Sequence, residues 1–213
     1  MSADRALPTR KQRQQHTRDC LMEAAAKVFG RRGLQQASID EVAQEAGFTK
    51  GAFYANFASK EELFLAMMDE HFGRRVEELD RAMRSSDDPE AQAREAGRDF
   101  LKAIDGDPEW KRLFFEFAAH ASRNPEFRAE LVTRYRALRD RIAELHRVRS
   151  GELGHVLPID PERFALMTFA MGNGVALEAL LEPEAVDEDL FGQMLEIFVA
   201  GLIAIAERDA ARG

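Results

Sequence analysis

The chain has 213 residues, of which 45% are hydrophobic and 32% charged, and its net charge is −8 at pH 7. This share of apolar residues supports a packed core and excludes a fully disordered protein. The single cysteine excludes an internal disulfide, and no Cys/His cluster has the spacing of zinc ligands. The polar N-terminal stretch is unlike a secretory signal, and the most apolar stretch, 194–206, is too short to cross a bilayer. We therefore expect a soluble cytoplasmic protein that uses no metal and no cofactor.

Charge is distributed unevenly along the chain. Residues 1–60 hold 10 Lys/Arg and 6 Asp/Glu, whereas residues 61–213 hold 20 and 32. We call residues 1–60 the head and residues 61–213 the body. A basic head next to an acidic body suits local phosphate binding, because salt screens charges that lie more than about 10 Å away. Ordinary surface variation produces the same split, so charge alone does not identify a nucleic-acid partner.

Apolar residues recur at spacings of three and four along most of the chain, and no alternating strand pattern competes with them. The sequence therefore predicts an all-α protein. Residues 1–15 lack this periodicity and are predicted to form a flexible basic arm. The first helix is predicted over 16–32, and Gly33 is the residue that ends it.

Two short helices are predicted next. Ser38 and Glu41 form a capping box, in which the serine bonds the glutamate amide and the glutamate reaches back. This box opens the second helix, which Gly47 ends because glycine adopts a positive φ at little cost. Thr49 caps a third, very short helix.

Prolines and turn residues divide the remainder at regular intervals. A long fourth helix is predicted from Ser59 to about residue 84. Pro89, Pro108 and Pro125 each suit the first turn of a helix, which predicts helices that end near residues 105, 122 and 149. An irregular loop is predicted over 150–159, followed by helices over 160–181 and 187–208.

The turn at 47–49 is too short for antiparallel packing, so the second and third helices must cross steeply, as in a helix-turn-helix. Phe53 fills the small core between them. Donors and small side chains occupy the other faces of the third helix: Lys50, Gly51, Ala52, Tyr54, Ala55 and Asn56. Small residues let a helix approach base edges in a major groove about 12 Å wide. The N-termini capped by Ser38 and Thr49 present amides to phosphates, and Lys60 lies near the same backbone.

The segment 43–63, AQEAGFTKGAFYANFASKEEL, resembles the DNA-binding segment of TetR-family transcriptional regulators. The resemblance implies a homodimer with a helix-turn-helix domain over 16–60. A long linker helix would join it to a helical ligand-binding and dimerisation bundle within 61–213. The family is not enzymatic, and the sequence has no nucleophile–base pair and no phosphate-binding glycine loop.

Residue by residue, the resemblance implies two kinds of DNA contact. Base or groove contacts are implied for Lys50, Gly51, Ala52 and Ala55. Phosphate contacts are implied for Ser38, Thr49, Tyr54, Asn56 and Lys60. Asn56 stands where the family commonly has histidine, and its amide can also bond a phosphate.

The body holds more aromatic and methionine side chains than a tight bundle needs, which is typical of adaptable apolar pockets. The candidate ligand-pocket residues are Phe100, Ile104, Trp110, Phe114, Phe117, His120, Tyr135, Met167 and Met171. For any one of them, a place in the plain core is the favoured interpretation. Glu116 and His120 could orient a polar ligand group or form ion pairs with each other or with arginines. The run 172–174, Gly-Asn-Gly within a helix, indicates close packing, a ligand approach or a kink.

The last two helices are apolar around most of their circumference, so both sides must be covered. A two-fold four-helix interface covers them, and the family uses these helices for dimerisation. The predicted interface residues are Phe164, Thr168, Val175, Ala179, Leu190, Met194, Ile197, Phe198, Leu202 and Ile205. The alternative is burial of both helices within the monomer.

Taken together, these patterns predict a repressor that a small, largely apolar ligand releases from its operator. Its partners would be double-stranded operator DNA, a second copy of the chain and an unidentified effector, with no membrane. One alternative is a constitutive DNA-binding regulator or activator without an effector. Another is a helical enzyme or carrier that keeps only a vestigial head.

Overall fold

We describe residues 9–154 and 158–212 in a computed structural model, and within these ranges the fold is built of α-helices joined by short turns. The helices are α1 (Arg10–Gln36), α2 (Ile39–Glu45), α3 (Lys50–Tyr54), α4 (Lys60–Met83), α5 (Pro89–Asp105), α6 (Pro108–Ala121), α7 (Pro125–Leu153), α8 (Pro161–Leu181) and α9 (Leu190–Ala210). A single 3-10 turn at Pro183–Ala185 separates the last two. The predicted all-α fold is confirmed.

The predicted helix starts are confirmed where a side chain caps them. Ser38 and Glu41 form the reciprocal capping box at the start of α2. Thr49 accepts the amide of Ala52 at the start of α3, and Ser59 caps α4 in the same way. The turn between α2 and α3 contains a glycine with φ of 75° at position 47. These local hydrogen bonds and the glycine turn define where α2 ends and α3 begins.

The predicted arm over 1–15 is wrong for residues 10–15, which belong to α1, and residues 1–8 lie outside the described ranges. The helix begins early because Thr9 and Gln12 form a capping box that needs no apolar periodicity. At the other end, Gly33 leaves the helical region with φ of 71° and ψ of 166°, as expected for a stop. One further helical turn then extends to Gln36.

The predicted loop over 150–159 is also wrong in part. Residues 150–153 continue α7, and Gly154 ends it in the left-handed conformation with φ of 68°. Residues 155–157 lie outside the described part of the chain. The last helix begins at Leu190, three residues later than the sequence pattern indicated.

Two apolar cores hold the molecule together. The first joins α1–α4 to α6 and α7, and in it Phe64 stacks on Phe117 while Phe29 meets the edge of the same ring. Thus α6, which the sequence pattern assigned to the body, packs directly on the head. The second core lies among α5, α8 and α9. There α5 and α9 cross so closely that a Cβ on Gly97 would lie 2.5 Å from the Cα of Gly192.

Candidate DNA-binding surface and ligand cavity

The short helix α3 buries one face and exposes the other. Phe53 is fully buried, whereas Lys50, Gly51 and Ala55 are exposed and Tyr54 retains 51% of its accessible surface. The rings of Phe53 and Tyr54 meet edge to face at 5.7 Å, which orients the tyrosine outward. The structure therefore brings together on one surface most of the residues that the resemblance assigned to DNA.

The packing of the head does not explain why glycine stands at position 51 or lysine at position 50 of this surface. A Cβ added to Gly51 would meet only the Thr49 hydroxyl at 3.7 Å, an ordinary contact, so the fold itself does not require glycine there. Lys50 forms an exposed ion pair with Asp40 of α2 at 3.0 Å, which raises the pKa of the lysine through the hydrogen bond and the charge. Surface pairs of this kind contribute little to stability, so Lys50 can exchange Asp40 for another partner.

The capping hydroxyls are already used within the head. Ser38 donates to the carboxylate of Glu41 at 3.0 Å and accepts from its amide at 3.1 Å. The hydrogen bonds that the Ser38 amide and then the Ser38 hydroxyl donate to the Glu41 carboxylate lower the pKa of that carboxyl group. Thr49 accepts from Ala52 at 3.2 Å and keeps its own hydrogen available. Of the two caps, Thr49 is the better phosphate donor.

Asn56 and Lys60 are placed differently from the sequence-based expectation. The Asn56 amide nitrogen donates to the carbonyl of Ala52 at 2.8 Å, and its Oδ1 is buried with no partner among the described residues. Lys60 donates to the carbonyls of Leu34 and Ala37 at 2.9 and 2.8 Å. Both side chains hold the head together instead of projecting from it, because the ends of α1 and α3 leave carbonyls that need donors.

Sequence analysis did not single out Arg18 of α1. Its Nη1 donates to the carbonyl of Asn56 at 2.7 Å, and its guanidinium lies 4.2 Å from the centre of the Phe57 ring. Arg18 therefore fixes the end of α3. The contact spans 38 residues, and no local pattern in the sequence could have revealed it.

A cavity of about 590 Å³ lies in the body between α4–α9. This volume falls within the range of roughly 300–1,000 Å³ that is typical of small-molecule sites. Of the nine predicted pocket residues, four line it: Phe100, Ile104, Trp110 and Phe114. The apolar walls also include side chains that were not predicted, among them Phe72, Val76, Leu138, Phe191 and Val199.

The other five predicted pocket residues lie elsewhere. Phe117 is buried in the first core, and His120 faces Glu61 of α4 at 3.6 Å. Tyr135 lies behind the wall, where its ring contacts Phe114 and Phe169. Met171 packs in the second core, while Met167 is exposed on α8. Side chains of one helix, such as Phe114 and Phe117 of α6, face different parts of the molecule. Helical spacing alone does not show which of them lines a cavity and which fills a core.

The glycines at 172 and 174 also have separate explanations. A Cβ on Gly172 would lie 3.2 Å from the Phe100 ring and 3.4 Å from the Phe191 ring, so this glycine permits close packing at the cavity wall. Gly174 is exposed, and a Cβ added there would have no neighbouring atom within 4 Å. Of the interpretations left open by the sequence, close packing explains the first glycine.

Polar groups interrupt the apolar cavity wall at a few positions. Arg75 of α4 pairs with Glu78 at 2.6 Å, and burial lowers the pKa of this arginine. Burial also lowers the pKa of His71 to about 3 and that of His146 to about 4, so both rings are neutral near pH 7. The His71 ring stacks on Trp110 at 4.3 Å.

The helix α6 connects this cavity to two other parts of the molecule. Glu116 accepts the backbone amide of Leu34, at the end of α1, at 2.7 Å. Lys111, which is buried, donates to the carbonyl of Ala179 near the end of α8 at 3.0 Å. Neither Glu116 nor His120 lines the cavity, and Glu116 pairs with a backbone amide instead of with His120 or an arginine.

Comparison with known proteins agrees with this arrangement. The family model of bacterial regulatory proteins of the tetR family matches residues 21–67, and the C-terminal model of BetI-type transcriptional repressors matches 89–204. The regulator TtgR of Pseudomonas putida is 31% identical over 188 residues, which are 83% of this chain and 86% of TtgR. The chain belongs to the TetR family of transcriptional regulators. Like other members, it carries a DNA-binding helix-turn-helix domain and is not an enzyme.

Other TetR-family proteins are similar to this one. The transcriptional activator FasR of Mycolicibacterium smegmatis is 31% identical over 156 residues, 68% of this chain and 70% of FasR. The structure of FadR from Bacillus subtilis in complex with stearoyl-CoA has a TM-score of 0.71 and 14% identity. That match covers 87% of this chain and 97% of FadR, and it shows a common fold.

The family typically dimerises, and α8 and α9 leave an apolar surface uncovered. We call it the α8–α9 face, and its large exposed side chains are Leu166, Met167, Leu177, Leu181, Ile197 and Ile205. Ile197 and Ile205 were predicted. Four predicted interface residues are instead buried inside the monomer: Phe164, Val175, Ala179 and Leu202. Thr168, Leu190, Met194 and Phe198 are half-buried.

Both helices of this face have 21 residues and are long and apolar enough to cross a membrane by length and composition. The expectation that the apolar stretch is too short therefore fails for the complete helices. Core helices of globular proteins have the same properties, so this observation is weak support for a membrane role. The apolar side chains of α8 and α9 fill the second core on one side and the α8–α9 face on the other.

Proposed function

We propose that this TetR-family regulator is a cytoplasmic repressor that binds its operator as a homodimer and leaves it when a small, largely apolar ligand enters the cavity. The single observation that carries the proposal is the position of α6. This helix contributes Trp110 and Phe114 to the cavity wall, and it bonds the end of α1 through Glu116. Ligand and DNA would therefore act on one continuous element.

DNA binding rests on the exposed face of α3. Lys50, Gly51 and Ala55 would enter the major groove, with Ala52 at the edge of the contact, while Thr49 and Tyr54 bond the flanking phosphates. Gly51 supports a close approach of the α3 backbone to DNA. The fold has room for a side chain at this position, so the absence of one is explained by the DNA contact and not by packing. We assign Asn56 and Lys60 the structural role of positioning α3, and Ser38 that of capping α2.

Dimerisation through the α8–α9 face would present two copies of α3 to the operator. Helix-turn-helix dimers contact half-sites about 34–36 Å apart, one helical turn of DNA. Operator affinity then depends on the distance between the two heads. A change in the angle of the head relative to the body would weaken binding without altering any residue of α3.

Coupling would begin at Trp110. Its ring stacks on His71 in the cavity and on Phe64 in the first core, with ring centres 4.3 and 5.6 Å apart. A ligand that displaces Trp110 would move α6 against α4, and Glu116 would transmit this shift to α1. Coupling energies of this kind are typically about 1–3 kcal/mol, which corresponds to about 5–150-fold in affinity.

The comparisons support parts of this proposal. The model that matches residues 89–204 describes BetI-type repressors, and in FadR of Bacillus subtilis this fold holds stearoyl-CoA, which has a long apolar chain. A second candidate function is activation, because the similar protein FasR is an activator. A constitutive regulator without an effector is the remaining alternative, and the cavity argues against it.

The test is fluorescence anisotropy of labelled DNA from upstream of the gene, titrated with protein at several salt concentrations. We expect binding that weakens as salt rises, and release by at least one compound of an apolar panel that also stabilises the protein against heat. Lys50→Ala should weaken binding, whereas Lys102→Ala, a matched exposed lysine on α5, should not. Absence of binding at low salt would refute the DNA-binding role. If compounds stabilise the protein but none of them changes its DNA binding, ligand release is refuted and the constitutive alternative remains. If bound protein increases transcription from this DNA in vitro, the activator is favoured.

A further inference from the structure

The structure assigns a ligand class to the cavity: an amphipathic acid whose elongated apolar body lies along the cavity wall and whose oxyanion, such as a carboxylate, binds the free guanidinium nitrogens of Arg75. This inference rests on the proposed ligand cavity and deepens it. The extent of the cavity wall along α4, the hydrogen-bonding state of Arg75 and its position beside Trp110 carry it.

The cavity wall extends along much of α4. Lining residues of α4 extend from His71 to Met83, twelve helical steps that correspond to about 18 Å. Aromatic and aliphatic side chains of six helices form most of the wall. An elongated apolar chain can contact this wall along its whole length.

Arg75 is a charged group of the cavity wall that has unused donors. Its Nη1 donates to Glu78, and neither Nε nor Nη2 donates to any group in the described part of the chain. Its side chain keeps 17% of its accessible surface and lies beside the Phe100 ring. Buried donors need acceptors, and a carboxylate bonds two guanidinium nitrogens at once.

The other lining cations differ from Arg75 in this respect. Lys111 donates to the carbonyl of Ala179 at 3.0 Å and lies 3.9 Å from the carboxylate of Asp105, which balances its charge. Arg149 uses all three of its nitrogens on the turn after α4 and on Glu152. Among the described residues that line the cavity, Arg75 is therefore the guanidinium group with two unused nitrogens.

The surroundings of Arg75 favour an anion over a cation. The carboxylates whose charges act on Arg75 are those of Glu78 and Asp107. Glu78 keeps 29% of its accessible surface against 17% for Arg75, and Asp107 is exposed, so the guanidinium is the more buried charge. Glu78 already forms an ion pair with Arg75. A cationic ligand would have to displace Arg75 from Glu78 and would lie close to the positive charge of the guanidinium. His71, one helical turn earlier and neutral, adds an N–H donor beside the same site.

This polar site lies at the end of the cavity that meets the head. His71 stacks on Trp110, which in turn contacts Phe64 of the first core. An oxyanion bound to Arg75 would therefore lie next to the residues that link the cavity to α1. The apolar body would extend from there along α4 towards Met83.

The test uses three probes that share one alkyl chain: dodecanoate, dodecan-1-ol and dodecyltrimethylammonium, each below its micelle concentration. Trp110 is the sole tryptophan and lies in the wall, so its fluorescence reports binding in the otherwise native protein. We expect dodecanoate to bind at least about tenfold more tightly than the alcohol, as a charge-assisted bidentate bond implies. The ammonium compound should bind most weakly.

Three variants separate the role of Arg75 from general disruption of the fold. Arg75→Gln should reduce dodecanoate affinity by about tenfold and leave dodecan-1-ol affinity unchanged. Arg74→Gln, a matched exposed arginine on the same helix, should change neither. Glu78→Gln should strengthen dodecanoate binding several-fold, because it removes the competing carboxylate, and a disrupted fold would not produce a gain.

The outcomes distinguish this inference from the proposed function. Equal binding of acid and alcohol, with release of DNA by both, would overturn the oxyanion site and leave the ligand-released repressor intact. Preference for the ammonium compound would overturn the ligand class. No Trp110 response to any of the three probes would also overturn it, while the panel of other ligands decides the proposed function.

Discussion

The carboxylate of Glu116 lies 2.7 Å from the backbone nitrogen of Leu34 and accepts its hydrogen bond. This contact joins α6, whose Trp110 and Phe114 wall the cavity, to the last turn of α1, just beyond the break at Gly33. A helix break that only side chains such as those of Glu116 and Lys60 hold can change its angle without melting either helix. The contact is therefore the simplest route from the cavity to the DNA-binding head.

Glu116→Gln should uncouple the two sites. The amide oxygen still accepts from Leu34, but without the charge assistance of a carboxylate, so we expect the ligand-induced loss of DNA affinity to shrink several-fold. Ligand affinity itself, measured by Trp110 fluorescence, should change little. Glu130→Gln, at a surface ion pair of α7, is the matched control. If the ligand lowers the DNA affinity of Glu116→Gln as much as that of the wild-type protein, coupling takes another route.

Two substitutions on α3 should affect DNA binding in different ways. Lys50→Ala should cost about 1–3 kcal/mol of operator affinity and relax the choice of base at one position. Tyr54→Phe keeps the packing against Phe53 and removes one phosphate donor, so it should weaken all sequences about equally, by about 1 kcal/mol. Anisotropy titrations on operator and mutated DNA measure both. Lys50→Ala with unchanged sequence preference would place this lysine on phosphate instead.

Ile197→Glu should break the dimer. Ile197 keeps 72% of its accessible surface in the monomer, so the substitution places a charge on the α8–α9 face without opening the core. We expect monomers in sedimentation velocity, and a loss of about 100-fold or more in operator affinity because the two heads no longer bind together. Val148→Glu, at a half-exposed apolar position of α7, is the control. A dimer that survives Ile197→Glu would contradict this interface.

Two glycines should respond in opposite ways to alanine. A Cβ on Gly97 would lie 2.5 Å from Gly192, backbone against backbone, so Gly97→Ala should lower the free energy of unfolding by about 1–3 kcal/mol. Gly73 is an exposed helical glycine with no atom within 4 Å of that position, so Gly73→Ala should raise it by about 0.5–1 kcal/mol. Urea denaturation measures both. A neutral Gly97→Ala would mean that α5 and α9 can separate at little cost.

The buried histidines predict a pH dependence of stability. Burial lowers the pKa of His146 from 6.5 to about 4, so the unfolded chain binds a proton between these values that the native protein does not. The free energy of unfolding should therefore fall as pH falls from about 6.5 to 4, by about 1–3 kcal/mol. His146→Gln should remove this part of the slope, whereas His16→Gln, exposed on α1, should leave it. An unchanged slope in His146→Gln would contradict the neutral buried ring.

The sequence predicted features that depend on neighbours along the chain. Helix starts at Ser38, Thr49 and Ser59 are confirmed because each cap bonds an amide three residues away. The start of α1 was missed although its cap is equally local, because Thr9 precedes a stretch with no apolar periodicity.

Features that depend on tertiary contacts could not be predicted in the same way. Trp110 and Phe117 lie on one helix, yet one lines the cavity and the other fills the first core. Lys60 was expected on phosphate, but the carbonyls that occupy it lie more than 20 residues earlier. The interface prediction chose Phe164 and Leu202, because an all-apolar helix gives no sign of which side faces its own core.

One linked titration tests the central claim most directly. Operator affinity is measured by anisotropy with and without a saturating cavity ligand, and ligand affinity is measured by Trp110 fluorescence with and without operator. We predict that the ligand weakens DNA binding by about 5–150-fold and that DNA weakens ligand binding by the same factor. Full occupancy of the cavity with unchanged operator affinity would contradict the account.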